Sequence, residues 1–409
     1  MVIRNSNFVS VARAQALVLA QTEPGEARGI PTGAAAGLVL AEAGVARWSL
    51  PNAPVSVMDG YAIRASDVQP GTHTLRVVDE SAAGHPMSDV LGTREAARIS
   101  TGAVLPSGAD AVVPQEETTR SGNELLVDQT AAQRTGPGRF VRPTGSDVRR
   151  GDPLLPSGTR LGPGELALLA GCGHAVCKVV PRPQVALLCT GDELVNIGTT
   201  PGPGQVVNTN RIMLAAQVRE AGGDPLLLES PGDDPNALRE AMENALKCDL
   251  LITSGGISVG DHDHVRACLD ALDFAPHFSK VRLRPGKPTT FGVAQGVACL
   301  ALPGNPASSL VAFELFARPW IRKRLGLAAK HWHRPIRRVS LTQSVNGNRE
   351  RAHYVRAHVR DDLATPLDDQ SSGALRSIAG HNALVHIPEG IVQVNAGDAF
   401  DALLLDIAP

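Results

Sequence analysis

The chain is poor in aromatic residues, has no excess charge of either sign and contains no long apolar run. Aromatics make up 3% of its 409 residues, which leaves little for a platform on which single-stranded bases could stack. Lys and Arg number 39 against 41 Asp and Glu, a formal charge of -2. No global field therefore draws nucleic acid or an anionic membrane. No stretch reaches the roughly 18 uninterrupted apolar residues of a membrane-spanning helix. Cysteine is sparse, at 6 residues, and no two form a Cys-x-x-Cys pair. Reduced, partly buried thiols are expected. Near the N-terminus, FVSVARAQALVLAQ is broken by Arg13 and Gln15, leaving ALVLA, which is too short for a secretion signal. It reads as an amphipathic helix capped at Ser10. A cytoplasmic protein without nucleic-acid or membrane partners is expected, although a local basic pocket could still take a small anion.

What is present is ordinary globular material, 43% hydrophobic and 20% charged, in a chain long enough for several domains. Residues 1–44 read as helical, in VARAQALVLAQ and GAAAGLVLAEAGVA. Residues 45–140 are short β-like runs between Gly, Pro and Asp, and residues 141–180 include GPGELALLAGCG, a helix begun by Pro163 and ended by Gly171. A β-rich domain inserted into a helical linker is the simplest account. From 181 to 328, apolar runs such as PQVALLCTG, CDLLITSGG and GVACLALPG alternate with helical stretches. That predicts a three-layer α/β domain with a parallel-rich sheet buried on both faces. Residues 329–409 return to strands and suggest a C-terminal β-barrel. The fold class expected is multidomain α/β plus β.

Parallel sheets bind ligands beyond the carboxyl ends of their strands. The runs above end in polar, glycine-rich loops: Thr190, Gly191, Asp192 and Glu193; Asp233 and Asp234; Ser254, Gly255, Gly256, Ser258, Asp261 and Asp263; and Pro303, Gly304, Asn305, Pro306 and Ser308. Any one of them is ordinary turn chemistry. Together they point to an anion approached by backbone N–H groups. Carboxylates on the same edge would repel that anion unless Mg²⁺, which prefers oxygen ligands, lies between them. Glu193, Asp233, Asp234 and Asp263 are the metal-side candidates. His262 and His264 suit softer metals and read as solvated residues at a helix start. In KVRLRPGKP, strand alternation would put Lys280, Arg282 and Arg284 on one face. With Lys287 they could close the pocket, Arg offering a planar fork to an oxyanion. Asp59, Thr101 and Asp147 lie in turns of the β-rich segment and its border.

The ordered set SVMDGYA, ISTGAVLPSGADAVV, GSDVRRGD, TGDEL, SGGISVGDHD, RPGKP, LPGNPASS and RERAHYVRAHV spans nearly the whole chain. It resembles the molybdopterin molybdenumtransferase (MoeA) family, related to the C-terminal domain of gephyrin. The resemblance implies insertion of molybdate into adenylylated molybdopterin with release of AMP and participation of Mg²⁺. It implies catalytic roles for Asp59, Thr101, Asp147, Glu193 and Asp263, and metal roles for Glu193, Asp233 or Asp234, and Asp263. Substrate contacts are implied for Thr190, Gly191, Ser254, Gly255, Gly256, Ser258, Lys280, Arg284, Lys287, Pro303, Asn305, Pro306, Ser308 and Ser372. It further implies a homodimer with the site between subunits, residues 1–44 and 141–180 forming the linker and dimerisation domain. A molybdopterin adenylyltransferase is the candidate partner that delivers the pterin. Arg284 stands where many members have Lys, His264 where an aromatic is frequent, and Cys189 where a hydroxyl residue is frequent. The competing expectations are a CinA-type or adenylyltransferase enzyme sharing the α/β domain, and a molybdopterin-binding scaffold without catalysis.

Overall fold

The computed structural model describes residues 8–69, 73–229, 235–256 and 264–405. Its central sheet has the strand order Asp224–Leu227, Gln184–Cys189, Leu250–Ser254, Val297–Leu302, Thr290–Ala294 and Ala275–Phe278. The first four are parallel, and Thr290–Ala294 runs antiparallel to both its neighbours, Val297–Leu302 and Ala275–Phe278. Alternation along each strand divides two cores. Val185, Leu187, Leu250, Ile252, Ala298 and Leu300 face one cluster, and Ala186, Leu188, Leu251 and Cys299 the other. Helices Thr209–Ala221, Pro306–Ala312 and Arg318–Arg324 cover the first face. Pro235–Ala245 and His264–Ala271 cover the second. The run of buried residues in these strands is what two-sided burial requires, and the three-layer expectation holds.

The last region closes on itself. Ala352–Arg360 pairs with Leu363–Pro366, which pairs with Ile336–Leu341, then Ala399–Leu404, then Ala383–Ile387, which returns to Ala352–Arg360. This five-stranded barrel has no free edge in its cycle, and Val339, Val355, Ala357, Val385 and Ala402 fill it. Between residues 60 and 127 a second six-stranded sheet runs Thr118–Ser121, Glu124–Val127, Thr74–Ser81, Glu95–Ile99, Gly60–Ile63, Ala111–Pro114. Here too side chains alternate between two clusters, with Tyr61 and Ile63 in one and Ala62 in the other.

The N-terminal helix Val11–Ala20 starts at Ser10, whose hydroxyl accepts from Arg13 N at 3.2 Å. Pro163–Gly171 is helical as its Pro and Gly signals predict. GAAAGLVLAEAGVA is not a helix. It forms a short turn over Thr32–Ala34 and the strands Val39–Leu40 and Gly44–Val45, the first paired with Val176–Val180. Its glycines weaken helical propensity, and Gly37 at φ 75° turns the chain back. Long-range pairing wins over local composition there.

A buried ionic cluster joins the α/β domain to the segment entering the barrel. Arg334 meets Glu314 at 2.8 Å and Glu220 at 2.6 Å, and Gln217 donates to Glu314 at 3.0 Å. Arg334 also donates to the Leu405 carbonyl at 2.7 Å. With Glu314 only 3% exposed, each partner offsets a desolvation cost the other could not meet alone.

Candidate active site

The strand Gln184–Cys189 has Asp224–Leu227 on one side and Leu250–Ser254 on the other. Gln184–Cys189 leads to the helix Thr209–Ala221 on one face and Leu250–Ser254 to His264–Ala271 on the other, so the crevice between Cys189 and Ser254 is where such a sheet takes ligands. At this crevice the loops are tied together. Thr190 N donates to the Ser254 carbonyl at 3.1 Å, and Gly255 N to that of Leu302 at 3.3 Å. Asn210 donates through its side-chain amide to Ser254 Oγ at 2.9 Å and to the Gly304 carbonyl at 2.7 Å. Ser309 donates to the Pro303 carbonyl. Gly304 and Asn305 form the exposed tip of that turn, Pro306 opens the helix, and Ser308 is buried.

The glycines of SGG have a steric cause. Gly255 and Gly256 take φ 95° and 64°. Side chains there would strike the Thr190 carbonyl and Val265, so glycine is needed at both positions for the loops to meet. Ser372 reaches the same place from the barrel domain. Its hydroxyl accepts from Asn305 Nδ2 at 3.0 Å, and its carbonyl from Ala307 N at 3.1 Å.

Glu193 is exposed just beyond the Gly191 turn, and its carbonyl accepts from Val206 N at 2.8 Å. Asp233, Asp234, Ser258, Asp261, His262 and Asp263 lie outside the described residues, and His264 begins a helix. Among the described residues no group of three metal-binding side chains converges. The carboxylates placed at this edge, Asp192, Glu193 and Glu229, are all exposed. Glu229 pairs with Arg211 at 3.1 Å. These are hard oxygen donors, and the nearby thiol offers no soft alternative. Burial pushes Cys189 up to about 11, and all six cysteines are free and buried.

The basic segment keeps its alternation, with Val281 and Leu283 buried and Lys280, Arg282 and Arg284 less so. It is nevertheless split between two sheets. Lys280–Val281 pairs with Phe8–Val9, and Leu283–Arg284 with the barrel strand at Ala352 and His353. Arg282 is taken by Glu389 at 3.1 Å. Lys287 lies 5.8 Å from the Phe8 ring centroid. Among the described residues no hydrogen bond or ion pair ties Lys280, Arg284 or Lys287 to the strand-end loops. Their link is Gly286, where a Cβ would lie 3.6 Å from the Ser308 carbonyl.

Asp59, Thr101 and Asp147 are exposed and lie outside the α/β domain. Asp59 accepts from Thr101 N at 2.7 Å, and that bond, aided by the Thr101 hydroxyl and Arg98, holds its carboxyl below the usual range. Arg98 stacks 5.3 Å from the Tyr61 centroid and donates to Gln115 at 2.8 Å. Asp147 pairs with Arg142 at 3.4 Å. Among the described residues none of the three is bonded to the α/β loops. Sequence reading passed over Asn210, Arg98 and Gln115. The TNR stretch holding Asn210 looks like plain helix-start chemistry, and the other two only like strand polarity.

A switch-point edge carrying backbone amides, hydroxyls and exposed carboxylates is where an α/β enzyme takes a small-molecule ligand. The chain matches the MoeA N-terminal region (domain I and II) over residues 9–173, the probable molybdopterin binding domain over 186–323 and the MoeA C-terminal region (domain IV) over 338–405. It is 38% identical to a molybdopterin molybdenumtransferase of Nostoc over 387 residues, covering 91% of this chain and 87% of that one. It is 37% identical to molybdopterin molybdenumtransferase 2 of Mycobacterium tuberculosis, covering 90% and 92%. A crystal structure of a molybdopterin biosynthesis MoeA protein from Pyrococcus horikoshii superposes with a TM-score of 0.86 at 30% identity, over 98% and 99% of the two chains. The chain belongs to the molybdopterin molybdenumtransferase (MoeA) family. The matches at both ends also set it apart from proteins that have the α/β domain alone.

Proposed function

We infer that the protein is an enzyme of molybdenum cofactor biosynthesis that inserts molybdate into molybdopterin, with adenylylated molybdopterin as the accepting form and AMP as the leaving product. The observation that carries this reading is the tied crevice, where Thr190, Ser254–Gly256, Pro303–Pro306 and Ser372 meet at the sheet's switch point. Thr190 Oγ1 and Asn210 Oδ1 are buried there without a partner among the described residues. Buried polar groups are seldom left so unless something else meets them. A pterin nucleotide is rich in donors that could.

In this proposal Glu193, with Asp233 or Asp234 and with Asp263, would hold Mg²⁺. The donor set fits a hard ion, and few protein ligands suffice where phosphate oxygens supply the rest. When bound, the ion would neutralise charge on the phosphoanhydride. The chain's own residues bind and orient. Backbone amides of the Gly255–Gly256 and Gly304–Asn305 turns offer donors to oxyanions. Ser308 and Ser372 add hydroxyls, and Lys280, Arg284 and Lys287 supply positive charge on the flank where the phosphates would lie. Asp59, Thr101 and Asp147 are assigned to a facing wall. Because they are exposed and unattached to the α/β loops, a second copy of the chain is the natural source of that wall, giving a homodimer with its site between subunits. A division into 1–44 with 141–180, 45–140, 181–328 and 329–409 accompanies this reading. So do a cytoplasmic setting and delivery of the pterin by an adenylyltransferase; no helix among the described residues is long and apolar enough to cross a membrane.

The test supplies purified protein with adenylylated molybdopterin, molybdate and Mg²⁺ and measures the molybdenum content of the isolated pterin. Metal-loaded product supports the reading. Consumption of ATP in place of AMP release, or binding without any product, overturns it.

A further inference from the structure

Arg356, on the barrel strand Ala352–Arg360, is 0% exposed. A buried guanidinium is costly unless its donors are well used. Here only Nη2 is used, donating to the carbonyls of Asp369 and Ser371, each at 3.1 Å, while Nε and Nη1 have no partner among the described residues, so a single loop holds the charge. The main chain reinforces the attachment. Arg356 N donates to Gln370 Oε1 at 3.0 Å, and Gln370 Nε2 returns a bond to the Arg356 carbonyl at 2.9 Å. Asp369 accepts from Ser371 N at 2.7 Å. Val355 and Ala357 point into the barrel, so Arg356 fixes residues 369–371 from the outer face of this strand, and the next residue is Ser372, which crosses to Asn305 and Ala307.

We propose that Arg356 is a positioning residue for the transfer reaction. By holding 369–371 it sets where Ser372 stands against the Asn305 turn, and so couples the barrel to the anion-binding edge of the α/β domain. The inference rests on the reading of Ser372 and Asn305 as substrate-binding. Lysine would keep the charge, but its ammonium ends one bond short of Nη2, the single nitrogen that reaches both carbonyls.

A double-mutant cycle tests it on the full chain, with KM for adenylylated molybdopterin, kcat and Tm measured for wild type, Arg356→Met, Ser372→Ala and the pair. Each single change should raise KM by about tenfold, and the double variant should be little worse than either, because both remove one arrangement. Arg356→Lys should fall between Arg356→Met and wild type. Losses that multiply in the pair, or a lowered Tm with KM unchanged in Arg356→Met, overturn the proposal. An unchanged KM in Ser372→Ala alone counts against the site reading itself, and so leaves Arg356 nothing to act through. If Arg356→Met does not fold, Gln370→Leu loosens the same loop without touching the buried charge. It should show the same non-additivity with Ser372→Ala, and simple additivity would again overturn the inference.

Discussion

Asn210 donates to both Ser254 Oγ, at 2.9 Å, and the Gly304 carbonyl, at 2.7 Å, and so clamps two strand-end loops at the mouth of the crevice. The orientation of its amide follows from chemistry, since the Gly304 carbonyl can only accept. Asn210→Ala removes both bonds and leaves a buried hydroxyl and a carbonyl with one donor fewer. It should cost about 1–3 kcal/mol of stability and weaken pterin-nucleotide binding, read by denaturant titration and by equilibrium binding. An unaltered affinity would show that the clamp does not shape the site.

Glu193 is exposed and makes no side-chain bond among the described residues, so its removal should not disturb the fold. Glu193→Ala should retain the wild-type Tm and lower the rate of AMP release on the order of 10² to 10³, the usual loss for one electrostatic stabiliser. A rate within a few-fold of wild type would exclude it from the reaction.

The Arg334–Glu314 pair should behave as buried ions do. Glu314→Ala leaves Arg334 in the interior with only the half-exposed Glu220 opposite, and about 3–5 kcal/mol should be lost. Calorimetric Tm is the measure. A change of under 1 kcal/mol would mean that water already reaches the cluster.

How much of this was legible in the sequence varies by element. The apolar runs ending in glycine fixed the three-layer domain, because burial on both faces of a parallel strand leaves a plain local pattern. Pro163 and Gly171 likewise marked a helix locally. The segment around Gly37 was misread as helix because its partner, Val176–Val180, lies far along the chain. Asn210 was missed for the same reason: its two acceptors are 44 and 94 positions away. Arg356 stands inside RERAHYVRAHV without a signal of its own, because the carbonyls it holds lie 13 and 15 positions further on. The motifs follow one another along the chain, whereas the bonds that tie their loops together are long-range.

His353 gives the fold a pH signature. Only 1% exposed, it is pushed down from 6.5 to about 4, first by burial and then by Arg284. The unfolded chain therefore binds a proton that the folded chain refuses between about pH 6.5 and 4. Stability should be full above that window and fall through it as pH drops, by on the order of 3 kcal/mol from this group. Denaturant midpoints at pH 7 and pH 5 measure the slope; burial pushes His381 down to about 4 as well, so His353→Gln should lessen the slope without abolishing it. An equally steep fall in that variant would assign the effect to other groups.

The most direct test of the central claim is coupling between molybdate and AMP. With adenylylated molybdopterin bound and Mg²⁺ present, AMP release should begin only when molybdate is added and should match the molybdenum incorporated mole for mole. Release that proceeds at the same rate without molybdate, or incorporation that leaves the nucleotide intact, would contradict the account.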